Sequence, residues 1–379
     1  MKRELHSMKN DFGKYQYKIL IVGNKNRFYH LNQFADELKK RGIEVKLIYD
    51  IDFLQKTFDV NFTKRINKNK NFIKILEEFC PNVVLLDRIT EIGKKVIEQN
   101  IPLWILLRGN IWEEIIWAKK TSNNSIKQKL SFQKNEKLIE YCLKNSDLIL
   151  PISHYLENIV REKYPKKKIS YFSADGRTPE EWKNIKTNEL EHPCVGLIQG
   201  LNIWGKTREI LTLKKILGKL PNVTFYLAGD GEYSEKIIPE LIKFNNFIWL
   251  KNLEYPKQIK KLFSEIDIFL LLSGLEGLGQ TIIEALLMKK PVIATKVGGI
   301  SELIIDNETG LLVKEGDDEK IIEGILKLLN DSEFAKKIAE TGHNLIQKTH
   351  SWKNIVDEFE TILKTEINDY DTIRQWNYQ

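Results

Sequence analysis

Short unbroken apolar runs alternate along this chain with longer segments whose apolar residues recur at helical spacing, the pattern of parallel βαβ units. YKILIVG (17–23) has no polar alternation and so reads as a strand covered on both faces. RFYHLNQFADELKKRG follows with helical spacing and stops at Gly42. EVKLIYD (44–50), NVVLLD (82–87), PLWILLRG (102–109) and DLILPIS (147–153) continue the strand series, and Pro81 ends a helix over NFIKILEEFCP. A second series runs through CVGLIQG, VTFYLAG, FIWLK, IDIFLLLS, PVIATK and TGLLV, and the chain closes in helices through Ile367. Between the two series lies a polar stretch, FSADGRTPEEWKNIKTNELEHP (172–193), which reads as a linker. The pattern predicts an α/β protein of two Rossmann-like, doubly wound parallel-sheet domains, 1–185 and 186–366, followed by a tail, 367–379.

Composition narrows the class without changing the architecture. A hydrophobic share of 42% beside 29% charged residues is that of an ordinary globular chain, so disorder is excluded. No run approaches the roughly 18 apolar residues of a membrane span. The N-terminal MKRELHSMKNDF lacks the apolar core of a secretory signal. Cys80, Cys142 and Cys194 are scattered, without metal-ligand spacing, and read as free thiols of a reducing cytoplasm.

The net charge of +7 hides an asymmetry: residues 1–190 carry 36 Lys+Arg against 24 Asp+Glu, and the remainder carries 23 against 28. A basic first half faces something anionic, either a membrane surface or a phosphate-bearing substrate, or is simply a lysine-rich solvated surface. Nucleic acid is disfavoured, because no zinc finger, KH loop or aromatic RNA-binding signature is present.

The candidate chemistry sits in SGLEGLGQTIIEALL (273–287). Ligands of open parallel sheets bind at the loops beyond the carboxyl ends of strands, and this loop follows IDIFLLLS directly. Gly274, Gly277 and Gly279 let backbone N–H groups approach a ligand, and the helix from Gln280 turns its positive end to the same place. Glu284, one turn into that helix, can accept hydrogen bonds from a ribose diol, and Glu276 from a second set of hydroxyls. A sugar nucleotide has all three parts. Taken alone, the two residues also fit a turn glutamate and a charge near a helix start.

The wider segment 273–317 resembles the signature of retaining glycosyltransferases of family 4 type (group 1), which have the GT-B fold. Two glutamates separated by seven residues stand in an E-G-x-G context at Glu276, Gly277, Gly279, Glu284 and Ala285. Pro291, Gly298, Gly299, Glu302 and Gly310 follow in the family's order, and Leu278 replaces its usual aromatic. The resemblance implies that Glu284 binds the ribose and that Glu276 acts on the transferred sugar. Backbone at Gly277, Leu278 and Gly279 would hold diphosphate and sugar, and Lys206 would neutralise the leaving group. Leu201 stands where the family has an arginine, and Arg208 is the candidate substitute.

The first domain departs further. Its loop after the first strand, GNKNRFYH, keeps only Gly23 of the family's glycines, so Gly23 is the one donor-binding candidate there. Where members carry a histidine, this chain reads WILLRGN; Arg108 and Asn110 become acceptor-side candidates, Arg108 with an ordinary salt bridge as the alternative. His30 is a third, with helix capping or packing as the alternative, and His154 is equally ambiguous. Trp112, Trp117, Trp204 and Trp249 suit either sugar stacking or core packing.

By resemblance the reaction is a metal-independent front-face transfer with retention, from a nucleotide-diphosphate sugar to an acceptor hydroxyl. No cofactor is implied, no His/Cys/Asp cluster stands out, and the tail from about Ile367 would cross back to the first domain. The basic segments RINKNKNFIK (65–74) and REKYPKKK (161–168) point to a lipid-linked acceptor or a cytoplasmic membrane face, with polysaccharide, protein or a small molecule as the other acceptor classes. Three rivals are a sugar-nucleotide epimerase or hydrolase, a non-catalytic sugar-nucleotide-binding subunit, and a nicotinamide enzyme. The last is disfavoured because no G-x-G-x-x-G follows the first strand.

Overall fold

The computed structural model describes residues 17–53, 62–122 and 125–376, with the side chains of residues 26, 62–69 and 368–376 outside the description. The N-terminal reading and half of the 65–74 basic segment therefore lie outside the described side chains.

Each continuous apolar run forms a parallel strand. The first sheet comprises β1 (Tyr17–Gly23), β2 (Ile43–Tyr49), β3 (Val83–Leu86), β4 (Leu103–Leu107) and β5 (Leu148–Pro151), in the order β2-β1-β3-β4-β5. The second comprises β6 (Cys194–Ile198), β7 (Thr224–Ala228), β8 (Phe247–Lys251), β9 (Ile268–Leu271), β10 (Val292–Thr295) and β11 (Leu311–Val313), in the order β11-β10-β9-β6-β7-β8. Leucine, isoleucine and valine dominate β3, β4, β5, β6 and β9 because helices cover both faces, and every residue of those strands is buried. In the second sheet the strand order reverses between β6 and β9. The crevice beyond their carboxyl ends is thus the expected ligand position, and the 273–279 loop leaves from β9 into it.

Two boundaries differ from the sequence pattern. The 172–193 stretch does not begin as a solvated linker: Phe172, Ser173, Ala174, Asp175 and Arg177 are all buried. Its charges are satisfied by residues far away in sequence, which a local polarity pattern cannot show. The return to the first domain also occurs before residue 367. The closing helix, Trp352–Trp376, already packs there at its start: Trp352 stacks on Phe34 at 5.9 Å, and Phe359 meets Phe34, Phe172 and Trp104 within 6.0 Å. An amphipathic helix declares an apolar face but not which core that face will meet.

The two crossings run side by side. Arg177 N–H donates to His350 O at 2.8 Å and Trp352 N–H to Arg177 O at 3.2 Å. Gly176 lies beneath the Trp352 ring, whose atoms stand 2.3 Å from where a Cβ would be, so no side chain fits.

Candidate functional site

The 273–279 loop is built for close approach. Gly279 adopts φ 97°, a left-handed conformation suited to glycine, and starts the helix Gln280–Leu287. At Gly274 a Cβ would meet Gly205 O at 2.5 Å and Arg208 Nη2 at 2.7 Å, so the Arg208 guanidinium lies against the bare backbone. That guanidinium is fixed by Glu315 at 2.5 Å and lies over the Trp117 ring at 4.9 Å. The segment 204–212 is not one regular helix: a single turn, Trp204–Thr207, gives way to a 3-10 segment, Arg208–Thr212. The break lets Lys206 and Arg208 both face the loop.

Glu276 sits at the loop centre, 9% exposed. Its Oε2 pairs with Lys206 Nζ at 3.1 Å and its Oε1 accepts from Ser273 Oγ at 3.3 Å. Burial works to depress Lys206, but the Glu276 and Glu114 carboxylates outweigh it and hold the ammonium above its ordinary value. Glu284, 3% exposed, lies in the second turn of the Gln280 helix that the loop leads into. Arg177 Nη2 and Tyr255 Oη both donate to its Oε1 at 2.8 Å, and Arg177 Nε at 3.3 Å. Among the described residues, Oε2 of Glu284 takes no hydrogen bond.

A charge network joins the domains beside this point. Arg27, in the turn after β1, donates to Asp175 at 2.8 Å and to Gln280 Oε1 at 2.9 Å. Arg108 donates to Asp87 and, at 2.9 Å, to Asp175, whose other oxygen accepts from Gln280 Nε2 at 2.7 Å. Burial alone would raise Asp175, yet Arg108, Arg27 and Arg177 hold it well below the usual carboxylate range. A separate clasp lies nearby: Glu302 of the second domain accepts from the backbone N–H groups of His154 and Tyr155, each at 2.8 Å, capping the helix His154–Lys163 of the first. Backbone also meets backbone, since a Cβ on Gly277 would lie 2.1 Å from Arg108 O.

Residues 205–345 match the family model of glycosyl transferases group 1, and they contain this loop, both glutamates, Lys206 and Arg208. An uncharacterised glycosyltransferase of Methanocaldococcus jannaschii is 28% identical over 337 residues, covering 82% of this chain and 89% of its own. Over residues 205–345, therefore, the chain is similar to the glycosyl transferases group 1 family. The N-acetyl-alpha-D-glucosaminyl L-malate synthase of Bacillus anthracis is 27% identical over 253 residues, 62% of this chain and 63% of that one. HepE of Anabaena, solved in complex with UDP-glucose, superimposes with a TM-score of 0.71 at 17% identity over 92% of this chain and 100% of its own. That likeness shows the fold, which is GT-B.

The structure brings Lys206, Arg208, Glu276, Gly277, Leu278 and Gly279 together at the loop, with Glu284 in the helix that follows it. Leu278 is 2% exposed and turns into the core, so only its backbone is left for a ligand. The first-domain candidates are differently placed. Gly23 is covered by Leu31, whose Cδ1 stands 2.1 Å from a Cβ position, so packing accounts for its lack of a side chain. Asn110 caps the helix Ile111–Thr121, accepting from Glu113 N–H at 3.2 Å and donating to Tyr155 Oη at 2.9 Å. His30 packs between the rings of Tyr29 and Tyr255, and burial, then Arg177, keeps it neutral. Arg108 takes its salt-bridge alternative. Leu201, in the arginine's position, is fully buried in the second-domain core.

One grouping departs from the sequence reading. His192, Cys194 and Asp267 do cluster, their ligand atoms within 4.8 Å of one another. Asp267 Oδ2, however, accepts from Cys194 N–H at 2.7 Å and contacts His192 Nδ1 at 2.9 Å, tying down the start of β6 at the end of the sheet away from the crevice. Burial, then Asp267, pushes the Cys194 thiol up to about 12. Sequence reasoning missed Arg27, Asp175, Arg177, Tyr255 and Gln280. The available signal was charged residues flanking a glycine, Asp175-Gly176-Arg177, soon after an apolar run.

Proposed function

We propose that this glycosyltransferase moves a hexosyl group from a nucleotide-diphosphate sugar to an acceptor hydroxyl, with retention and without a metal. The carrying observation is the pairing of Lys206 with Glu276 in a glycine loop that leads straight to Glu284, whose Oε2 is open to a ribose diol. The diphosphate would lie at the start of the Gln280 helix, held by the helix dipole, Lys206 and Arg208. As the anomeric carbon–oxygen bond breaks, the acceptor oxygen attacks the same face, and its proton passes to the leaving phosphate oxygen. Arg208 takes the arginine role that Leu201 has lost, because its guanidinium lies against the bare backbone at Gly274. The name of HepE's ligand supports a uridine donor. The acceptor is lipid-linked or a polysaccharide, at a cytoplasmic membrane face that the basic first half would meet. No helix of the described residues is long and apolar enough to cross a membrane.

A thermal-shift panel of nucleotide sugars on wild type and Glu284→Gln tests the donor reading, because a ligand of the native state must raise the melting point. One nucleotide sugar should stabilise wild type and lose its effect in the variant. Arg208→Ala should then cut donor turnover in EDTA roughly 10²–10³-fold, the scale of one positioned electrostatic group. A panel with no stabilising donor would overturn the reading in favour of a non-catalytic subunit, and turnover abolished by EDTA in wild type would overturn metal independence.

A further inference from the structure

The donor glutamate and the hinge share one residue. Arg177 lies where the two chain crossings run together, paired with Ser351 as an isolated parallel bridge and bonded through its backbone to His350 and Trp352. Its side chain is 0% exposed. Nη1 is held by Gly176 O at 2.9 Å, within the hinge itself, and Nη2 and Nε both reach Glu284 Oε1. Tyr255, on the segment after β8, adds its hydroxyl to the same oxygen. Two donors from outside the Gln280 helix thus converge on one carboxylate oxygen and leave the other unbonded.

We propose that Arg177 and Tyr255 are positioning residues that fix Oε1 of Glu284 so that Oε2 meets the ribose diol, and that Arg177 thereby ties diol recognition to the placement of the interdomain crossings. The inference rests on the donor reading above, and adds to it how the glutamate is aimed. A guanidinium suits this role because its planar fork grips one oxygen with two N–H groups while a third holds the hinge carbonyl. Lysine keeps the charge but cannot make both grips. Nearby charge reinforces the geometry: burial works to depress Arg177, but the Glu284 and Asp175 carboxylates beside it help hold it above its ordinary value.

The readout is a ratio, which separates aiming from general damage. Titration calorimetry of wild type with uridine diphosphate and its 2′-deoxy analogue should show roughly tenfold or greater preference for the ribose form, the worth of a hydrogen bond to a charged group. Arg177→Lys should bring that ratio towards one while leaving 2′-deoxy affinity within about threefold; a residue that only stabilised the fold would weaken both nucleotides alike. Tyr255→Phe, which removes one hydroxyl, should lower the ratio by a smaller factor and decides the matter if the lysine variant does not fold. Gly176→Ala presses on the Trp352 ring without touching Glu284, and should lower the ratio too. A wild-type ratio in both the lysine and phenylalanine variants overturns the proposal, and a wild-type ratio in Gly176→Ala overturns the hinge link. Failure of wild type to bind either nucleotide overturns the donor reading itself, a result distinct from both.

Discussion

Replacing Gly277 by alanine should disable the crevice while leaving both domains intact. A Cβ built there lies 2.1 Å from Arg108 O, 3.0 Å from Arg108 C and 3.2 Å from Gly109 Cα, all backbone of the other domain. Carbon–oxygen contacts settle near 3.3 Å. The two domains must therefore part at this point by about 1.2 Å, and no rotamer change can relieve it. Gly277 has no left-handed φ, so alanine is not strained within its own loop. Forcing this buried contact apart is overpacking, so the melt should also fall by roughly 1–3 kcal/mol. The functional consequence falls on geometry: a misplacement of about 1 Å between reacting groups costs on the order of 10²-fold, or about 2.7 kcal/mol of barrier. Nucleotide release from the donor, measured beside a thermal melt, gives both numbers. A variant that turns over at the wild-type rate with an unchanged melt would refute the reasoning, because it would mean that the Arg108–Gly277 contact does not set the reacting geometry. Gly298→Ala is the comparison within one domain: φ 56° and Glu276 O only 1.7 Å from its Cβ position predict a larger fall in the melt.

Three further outcomes follow from named contacts. Glu302→Ala leaves the first-turn N–H groups of His154 and Tyr155 without their acceptor, and should cost roughly 1–2 kcal/mol by denaturant melt, the range of a lost helix cap; no loss would mean that solvent caps the helix as well. Leu201→Arg, which restores the family's residue, should destabilise by several kcal/mol instead of improving turnover, because the site is buried in an apolar core; a well-folded, faster enzyme would contradict that. Glu358 is pushed by burial up to about 7 from an ordinary 4.5, with His154 pulling the other way. Between those values the unfolded chain ionises while the folded one stays protonated, so stability should fall as pH rises through that window and level off above it. Glu358→Gln should flatten the slope, and an unaltered pH profile would exclude this carboxyl as its source.

What the sequence discloses and what it conceals divide along one physical line. The inner strands were legible because a strand buried on both faces needs only its own residues to be apolar, and YKILIVG or IDIFLLLS meets that condition locally; the half-buried edge strands β2 and β8 kept enough apolar residues to show as well. The glycine loop was legible for a similar reason: close backbone approach requires glycine at the spot where it happens. Arg177 was not, since its acceptor lies 107 residues away, and Arg27 was not, since Gln280 lies 253 residues away. The polar 172–193 stretch read as a linker because nothing nearby in sequence shows the partners that make its burial tolerable. Those partners balance: Arg27, Arg108 and Arg177 stand among Asp87, Asp175 and Glu284. Such a set adds little net stability over an apolar core, but removing any single member strands a buried charge at roughly 3–5 kcal/mol. The network therefore acts less as glue than as a constraint. It tolerates one arrangement of β1, the crossings and the Gln280 helix, and that arrangement is the one in which Glu276 and Glu284 share a crevice.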